Sequence, residues 1–197
     1  MKKVISLFVA AALLSGCTKY ENGKPVNQEE KPKVEQKQKK AAAPKEEPKK
    51  ELTLEEKITK DIEKKLGKQT NTKKKRIVDL TANDNAGTEV EGDKIILLTL
   101  AGDENLSNKM TIKGMLMDSS KAFQEVFKNK DASEVTLFWQ FPMVDSYGKS
   151  KEENVIKISL TRETFDKVEW QNFDYNNFEK IADQYWIHPA LANELNK

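Results

Sequence analysis

Two apolar runs in the second half of the chain, EVTLFWQF (residues 134–141) and NVIKISLT (residues 154–161), decide the fold class. In the second run, apolar and polar side chains occupy alternate positions: Ile156, Lys157, Ile158, Ser159 and Leu160. This alternation is typical of a strand with one buried face and one face in water. The segment between the runs, VDSYGKSKE (residues 144–152), is rich in turn-forming residues and predicts a hairpin loop.

A second pair of strand-like runs lies nearer the N-terminus. These runs are RIVDLTA (residues 76–82) and DKIILLTLA (residues 93–101), and the turn-rich NDNAGTEVEG (residues 83–92) between them predicts another hairpin. Hairpins without a regular alternation of strand and helix favour a mainly antiparallel sheet over a doubly wound one. The sequence does not indicate the order of the strands.

Two segments, one before the first of these runs and one between the two pairs, have the spacing of helices. Thr53 and Glu56 are three residues apart, as in a capping box, and Gly67 is placed to end the helix that follows. Within this first helix the apolar residues recur every four positions: Leu54, Ile58, Ile62 and Leu66. Residues 107–128 return to helical spacing with larger apolar side chains. We expect this second helix to be the principal helix of the core.

The C-terminal part predicts a short helical turn after Thr161 and one more helix. Four apolar positions have helical spacing there: Phe178, Ile181, Ala182 and Tyr185. Pro189 is expected to stop this helix. The predicted fold class is therefore α+β, with element order α-β-β-α-β-β-α. Residues 53–197 form a single domain in this prediction, with a sheet of about four strands and helices on one side.

The N-terminus has the three-part layout of an export signal. Two lysines, the uncharged run VISLFVAAALL (residues 4–14) and two small residues precede Cys17. An apolar run of about a dozen residues is too short to span a bilayer of about 30 Å. We therefore expect residues 1–16 to be a signal peptide that belongs to no folded domain.

Leu14, Ser15, Gly16 and Cys17 resemble the lipobox of bacterial lipoproteins. The resemblance implies that a signal peptidase recognises residues 14–16, that lipid is transferred to the Cys17 thiol, and that the mature chain begins there. Two acyl chains hold a protein stably on a membrane, whereas a single chain binds only marginally. Cys17 is the single cysteine, so it cannot form an intramolecular disulfide. The alternative is that Cys17 is an ordinary residue of the signal peptide.

Residues 17–52 are predicted to be the lipidated cysteine followed by a disordered tether. Lys, Glu, Gln, Pro and Ala dominate this segment, which has too few large apolar side chains to offset the entropy of ordering. A flexible coil of 35 residues, from 18 to 52, spans about 30 Å. The alternative is that KEEPKKELTLEEK (residues 45–57) begins a long charged helix over its last ten residues.

The chain is poor in residues that assemble catalytic or metal sites. His188 is the only histidine, and we expect it to cap a helix end or to lie on the surface. The loop of residues 83–93 contains several oxygen ligands but lacks the spacing of an EF-hand. Carboxylates available for an acid-base pair are scattered: Asp103, Glu104, Asp118, Asp145, Glu152 and Glu153. We predict no catalytic residues, no metal and no cofactor.

Two groups of residues are candidates for binding a partner. The basic run Lys73, Lys74, Lys75 and Arg76 is predicted to contact an anionic surface such as lipid or wall polymer, the alternative being a solvated loop. Among the aromatic residues, Tyr147 and Trp170 lie in polar segments and are expected to be exposed, where they would bind a partner. Residues 53–197 carry 22 basic and 25 acidic residues, which argues against nucleic acid as the partner.

These observations favour a lipid-anchored extracytoplasmic binding module on the outer face of a bacterial membrane. The chain resembles small uncharacterised lipoproteins of Gram-positive bacteria, some of them carried on mobile elements, and this resemblance implies an exclusion or immunity role as one subclass. Membrane lipid, bound through the acylated Cys17, is one expected partner, and an unknown protein or cell-wall component is the other. The alternatives are an envelope enzyme that uses carboxylates and a structural or chaperone-like envelope component.

Overall fold

The structure is a computed structural model that describes residues 51–195. The predicted signal peptide, the lipobox with Cys17, and the tether as far as residue 50 lie outside the described residues. All described residues belong to one compact unit, Pro48–Lys197. In chain order its elements are α1 Leu54–Leu66, β1 Ile77–Asp84, β2 Lys94–Ala101, α2 Asn108–Val126, β3 Ala132–Val144, β4 Ser150–Thr161, α3 Arg162–Asp166, a 3-10 turn Tyr175–Asn177, α4 Phe178–Ile181, β5 Gln184–Ile187 and α5 Pro189–Leu195.

The five strands form one open sheet in the order β1-β2-β3-β4-β5. Both predicted hairpins are present, because β1 pairs with β2 and β3 pairs with β4 in antiparallel fashion. The pair β2 and β3 is parallel, because the chain returns through α2 to the end of the sheet where β2 began. The predicted α+β class is confirmed, and the sheet has one strand more than the expected four.

The C-terminal part differs from the prediction of one helix that ends at Pro189. Helix α4 stops at Ile181, and Tyr185 lies in β5, which pairs with the edge of β4. Pro189 begins α5, where a missing N–H costs no helical hydrogen bond. The aromatic and β-branched side chains of QYWI (residues 184–187) suit a strand, and the open edge of β4 offered a partner that local spacing does not reveal.

The helices all pack on one face of the sheet, as expected. The second helix, α2, lies at the centre of this layer, with α1, α5 and the 3-10 turn against it. Trp139 in β3 is fully buried beneath α2 and donates from Nε1 to Ser119 Oγ at 2.8 Å. Ser119 Oγ in turn donates to the Met115 carbonyl at 2.8 Å, so the indole N–H and the hydroxyl are both satisfied inside the core.

Helix α1 begins with the predicted capping box. The Thr53 hydroxyl accepts from the Glu56 N–H at 3.2 Å, and the Glu56 carboxylate accepts from the Thr53 N–H at 2.9 Å. Gly67 ends the helix with φ +86°, a conformation that favours glycine. Ile58 and Ile62 are fully buried, so the cap fixes the start of a helix that closes the core beside β1.

Replacing Thr53 by alanine is expected to lower the free energy of unfolding by about 1 kcal/mol, since the Glu56 N–H loses the hydroxyl that accepts its hydrogen bond. The measurement is urea unfolding of the mature chain carrying Cys17→Ser, which needs no detergent. Thr59→Ala, on the same helix but away from the cap, is the matched control. An equal loss in the two variants would show that the capping box contributes nothing particular.

Candidate functional site

The sheet has a second face, which no helix among residues 51–195 covers. Its position follows from the pleat, because residues that alternate with the buried core positions point the opposite way. One cross-strand row of this open face runs across all five strands: Asp79, Thr99, Phe138, Lys157 and Trp186. The next row does the same: Thr81, Leu97, Thr136, Ser159 and Gln184. We call these two rows together with Ile95 the open face.

Apolar and hydroxyl side chains dominate the open face. Trp186 is 43% exposed, while Phe138, Leu97 and Ile95 are half-buried beside their neighbours. Phe138 and Trp186 are two strands apart, which places their backbones about 10 Å from each other. Lys157 lies between them, with its Nζ atom 5.8 Å from the centre of the Phe138 ring. The two rows therefore carry two aromatic side chains and two side chains of opposite charge, Asp79 and Lys157, and Glu134 lies beside Ile95 in the adjoining row.

Two hydroxyl groups of the second row are hydrogen-bonded to each other. Thr136 Oγ1 and Ser159 Oγ share a hydrogen bond of 2.7 Å, and both residues are buried between larger neighbours on the open face. This pair ties β3 to β4 at the centre of the surface. Phe138 is carried by one of the two strands that this bond joins, and Trp186 by the edge strand β5, which pairs with β4.

The basic run of residues 73–76 does not act as one cationic surface. Lys73 and Lys75 are exposed, and Lys74 forms an ion pair of 2.6 Å with Glu152. Arg76 is only 3% exposed, so the expectation that it contacts an anionic surface is wrong. Its guanidinium donates to both Asp103 carboxylate oxygens, at 2.8 and 2.9 Å, and to the Ala101 carbonyl at 2.8 Å. These bonds to Asp103 and to the end of β2 hold Arg76 inside.

The two aromatic candidates have different surroundings. Tyr147, in the β3–β4 turn, is 88% exposed, as expected. Trp170 is not an exposed platform, because its ring packs 4.9 Å from Phe165 and 5.2 Å from Phe173. Its indole N–H donates to the Phe165 carbonyl at 3.1 Å. Trp170 therefore belongs to an aromatic cluster that covers the end of α2, and its predicted exposure is wrong.

Three loops meet at one end of the sheet, where β1 begins and β2 and β3 end. They are the turn of residues 68–75, the loop of residues 102–107 and the hairpin tip of residues 144–150; we call them together the loop end. The side chain of Asn71 binds the Glu104 carbonyl at 2.6 Å and accepts from the Glu104 N–H at 3.0 Å. The Lys74–Glu152 ion pair joins the same turn to the hairpin. The structure therefore brings Tyr147 and Lys73–75 to one end of the domain.

Large apolar side chains are unusually exposed at this end. Leu106 is 95% exposed and Val144 is 67% exposed, in addition to Tyr147. Met110, in the first turn of α2, is half exposed beside them. Nothing in the chain's pattern singles out Leu106 or Val144, because single apolar residues in loops are common in any sequence.

A cavity of about 220 Å³ lies under the loop end, against α2. Its lining residues are Asn71, Asp103, Asn105, Thr111, Gly114, Met115, Met117, Asp118 and Trp139. The two carboxylates in its wall already have cationic partners, Arg76 for Asp103 and Lys121 for Asp118. The cavity is below the usual range of about 300–1,000 Å³ for small-molecule sites.

Asp145, Glu152 and His188 contribute to local structure, while Glu104 is exposed and Glu153 lies 4.0 Å from His188 Nε2. Asp145 accepts from two backbone N–H groups of its own turn, at 2.9 Å each, and Glu152 is paired with Lys74. His188 Nδ1 accepts from the Ala190 N–H at 3.2 Å, so it caps the start of α5 as expected. Among residues 51–195, no group of three or more His, Cys, Asp or Glu is placed to hold a metal ion.

Two titratable groups have shifted pKa values, and both lie away from the open face. Burial, followed by the negative charge of Glu179, raises the pKa of Tyr185 to about 12, so its phenol stays neutral. A hydrogen bond to Asp84 raises the pKa of Lys94. Lys94 begins β2 at the end of the sheet opposite the loop end, and Glu55 and Asp131 add to the shift there.

Comparison with known proteins informs the N-terminus alone. Residues 1–18 match the family model of the prokaryotic membrane lipoprotein lipid attachment site, a range that contains the lipobox. No curated protein and no solved structure gives a significant match to the chain. Within the described part of the chain, no helix is both long and apolar enough to cross a bilayer. The chain therefore carries the lipid attachment site of a bacterial lipoprotein, which anchors it to a membrane.

Proposed function

We propose that this lipoprotein is a binding module of the bacterial envelope that is displayed on the outer face of the membrane and recognises its partner through the open face. The observation that carries this proposal is the position of Trp186 and Phe138 on a sheet surface that no helix of the described chain covers. Exposed aromatic side chains on a fixed backbone anchor protein partners and stack on sugars. The partner is a protein or a cell-wall component.

The internal support of this surface favours recognition over a structural role. A rigid sheet keeps the aromatic side chains in place before the partner arrives, so little entropy is lost when it binds. The hydrogen bond between Thr136 and Ser159 fixes the strands that carry Phe138 and Lys157. A partner with a flat, weakly charged surface suits this composition.

Trp186→Ala is expected to weaken binding to the partner about thirtyfold, the loss that is typical of a central aromatic anchor. The full lipoprotein, with a photo-crosslinking amino acid at Leu97, is irradiated in intact cells and the crosslinked product is identified by mass spectrometry. The same product is then measured with Trp186→Ala and with Trp186→Phe, which retains an aromatic ring. The crosslink is expected to disappear in the first variant and to persist in the second.

A matched control is Val90→Ala, since Val90 is 66% exposed but lies in the β1–β2 loop. This variant is expected to leave the crosslink unchanged. Thermal unfolding of all three variants checks that the fold is intact. A crosslink of equal yield in Trp186→Ala and in the parent would rule out the open face as the recognition surface.

A further inference from the structure

We propose that the loop end makes a second, reversible contact with an anionic lipid surface, in addition to the covalent anchor at the N-terminus. The first support is the exposure of apolar side chains at this end. Leu106, Tyr147 and Val144 are 95%, 88% and 67% exposed, and they lie on three segments that hydrogen bonds and an ion pair hold together. Apolar side chains that protrude from loops insert into the boundary between headgroups and acyl chains.

The second support is the charge around these apolar side chains. Four lysines are exposed and make no ion pair with any residue in 51–195, three of them in the loop end and one next to it in β4: Lys73, Lys75, Lys149 and Lys151. Of the neighbouring acidic groups, Asp103 pairs with Arg76, Glu152 pairs with Lys74, and Asp145 accepts from backbone N–H groups. Glu104 is exposed, so within the described part of the chain a single carboxylate with neither an ion pair nor a backbone partner lies near the four lysines. The surface that remains is cationic, although residues 53–197 as a whole carry more acidic than basic residues.

A cationic rim around protruding apolar side chains fits an anionic bilayer better than it fits other partners. The lysines attract the headgroups, and each contributes about a fivefold gain in affinity near such a surface. Leu106 and Val144 add burial that a soluble polyanion does not offer. Tyr147 has the amphipathic ring that favours the membrane interface.

The segment between the lipidated cysteine and α1 is long enough for the loop end to reach the membrane in which the cysteine is anchored. Helix α1 starts near Lys94, since Glu55 acts on the Lys94 charge, and this is the end of the sheet opposite the loop end. A strand of 13 residues such as β3 is about 43 Å long. The 35 residues from 18 to 52 extend to at most about 120 Å, which is enough to pass the length of the domain.

Because the chain is anchored covalently, even a weak affinity of the loop end for lipid is enough to keep it on the membrane surface. Because the lipidated cysteine holds the domain near the bilayer, binding of the loop end is an intramolecular event with an effective concentration in the millimolar range. A contact of this kind orients the domain on the membrane and releases it when salt screens the lysines. The loop end and the open face are separate surfaces, so one contact leaves the other accessible.

Because the chain has a single cysteine, an introduced cysteine can be labelled selectively to test the lipid contact. In the lipidated protein the sulfur of Cys17 is blocked, so a cysteine introduced by Tyr147→Cys is the single site for an environment-sensitive dye. The full lipoprotein is reconstituted into phosphatidylglycerol vesicles and into phosphatidylcholine vesicles. The dye at residue 147 is expected to shift to the blue and to be protected from a water-soluble quencher in the first vesicles only. Val90→Cys, at a position that is 66% exposed at the opposite end, should show neither effect.

A second arm separates the contributions of charge and fold. The combined substitution of Lys73, Lys75, Lys149 and Lys151 by alanine is expected to weaken binding of the unlipidated Cys17→Ser chain to phosphatidylglycerol vesicles by at least about tenfold. Lys57→Ala with Lys130→Ala removes exposed charge at the other end and should change binding less than twofold. Near-UV circular dichroism confirms that each variant is folded.

Two results would overturn the proposal. One is equal quenching of the dyes at residues 147 and 90 in phosphatidylglycerol vesicles. The other is protection of residue 147 by soluble wall polymer but not by vesicles, which would make a polyanion of the wall the ligand instead of lipid. Blue shift and protection that vanish at high salt would support the lipid contact.

Discussion

Replacing Arg76 by alanine is expected to lower the free energy of unfolding by about 3 kcal/mol, because it removes one partner of a largely buried ion pair. Arg76 is 3% exposed, and its guanidinium bridges Asp103 and the Ala101 carbonyl. Asp103 is 33% exposed, so water compensates part of its charge, and the loss falls at the lower end of the usual range of about 3–5 kcal/mol for such pairs.

The matched control for this change is Lys75→Ala, one residue away and exposed. Loss of that charge is expected to change the free energy of unfolding by less than about 0.5 kcal/mol. Urea unfolding of the Cys17→Ser chain measures both variants. A double-mutant cycle of Arg76→Ala with Asp103→Asn should give a coupling energy above about 1 kcal/mol. Equal stability of Arg76→Ala and Lys75→Ala would contradict the buried role of Arg76.

The basic run of residues 73–76 was visible in the sequence, but the burial of Arg76 and the exposure of its neighbours were not. Four consecutive cationic residues look alike along the chain, and nothing in their order marks the one that turns inward. The division is set by Asp103, which is 27 residues away and comes beside Arg76 only when β1 and β2 pair. Partners that are distant in the sequence are not visible in local composition.

Local patterns were sufficient for most of the fold. The capping box at Thr53, the core helix near residues 107–128 and both hairpins are each specified by residues within a few positions of one another. The parallel pairing of β2 with β3 and the addition of β5 to the edge of β4 are not specified in this way. Both depend on how the sheet is assembled after its hairpins have formed.

The open face escaped prediction for a related reason. The apolar run IILL (residues 95–98) predicts burial on both sides of β2, since a strand buried on one side alternates with polar residues. In the structure Ile96 and Leu98 are buried under α2, while Ile95 and Leu97 lie on the uncovered side. The sequence therefore did indicate an apolar open face, because β2 has more apolar side chains than one buried face requires.

Trp139→Ala is expected to lower the free energy of unfolding by about 3–5 kcal/mol, the usual cost of truncating a large buried aromatic side chain. Trp139 is fully buried, and its loss leaves a cavity beneath α2 beside the one already present there. Trp139→Phe keeps part of the volume but loses the hydrogen bond to Ser119, so a smaller loss of about 1–3 kcal/mol is expected. Urea unfolding of the Cys17→Ser chain measures both.

Comparing the stability of Trp139→Ala with that of Trp186→Ala tests whether Trp186 has a role in binding. Trp186 is 43% exposed on an edge strand, so Trp186→Ala should cost less than about 1 kcal/mol. Suppose that Trp139→Ala unfolds the domain while Trp186→Ala leaves it stable. The stability of the fold then does not explain why residue 186 is a tryptophan. An exposed tryptophan that contributes little to folding is then explained by what it contacts outside the chain. A loss of similar size in both variants would instead make Trp186 part of the structural framework and remove the main argument for the open face.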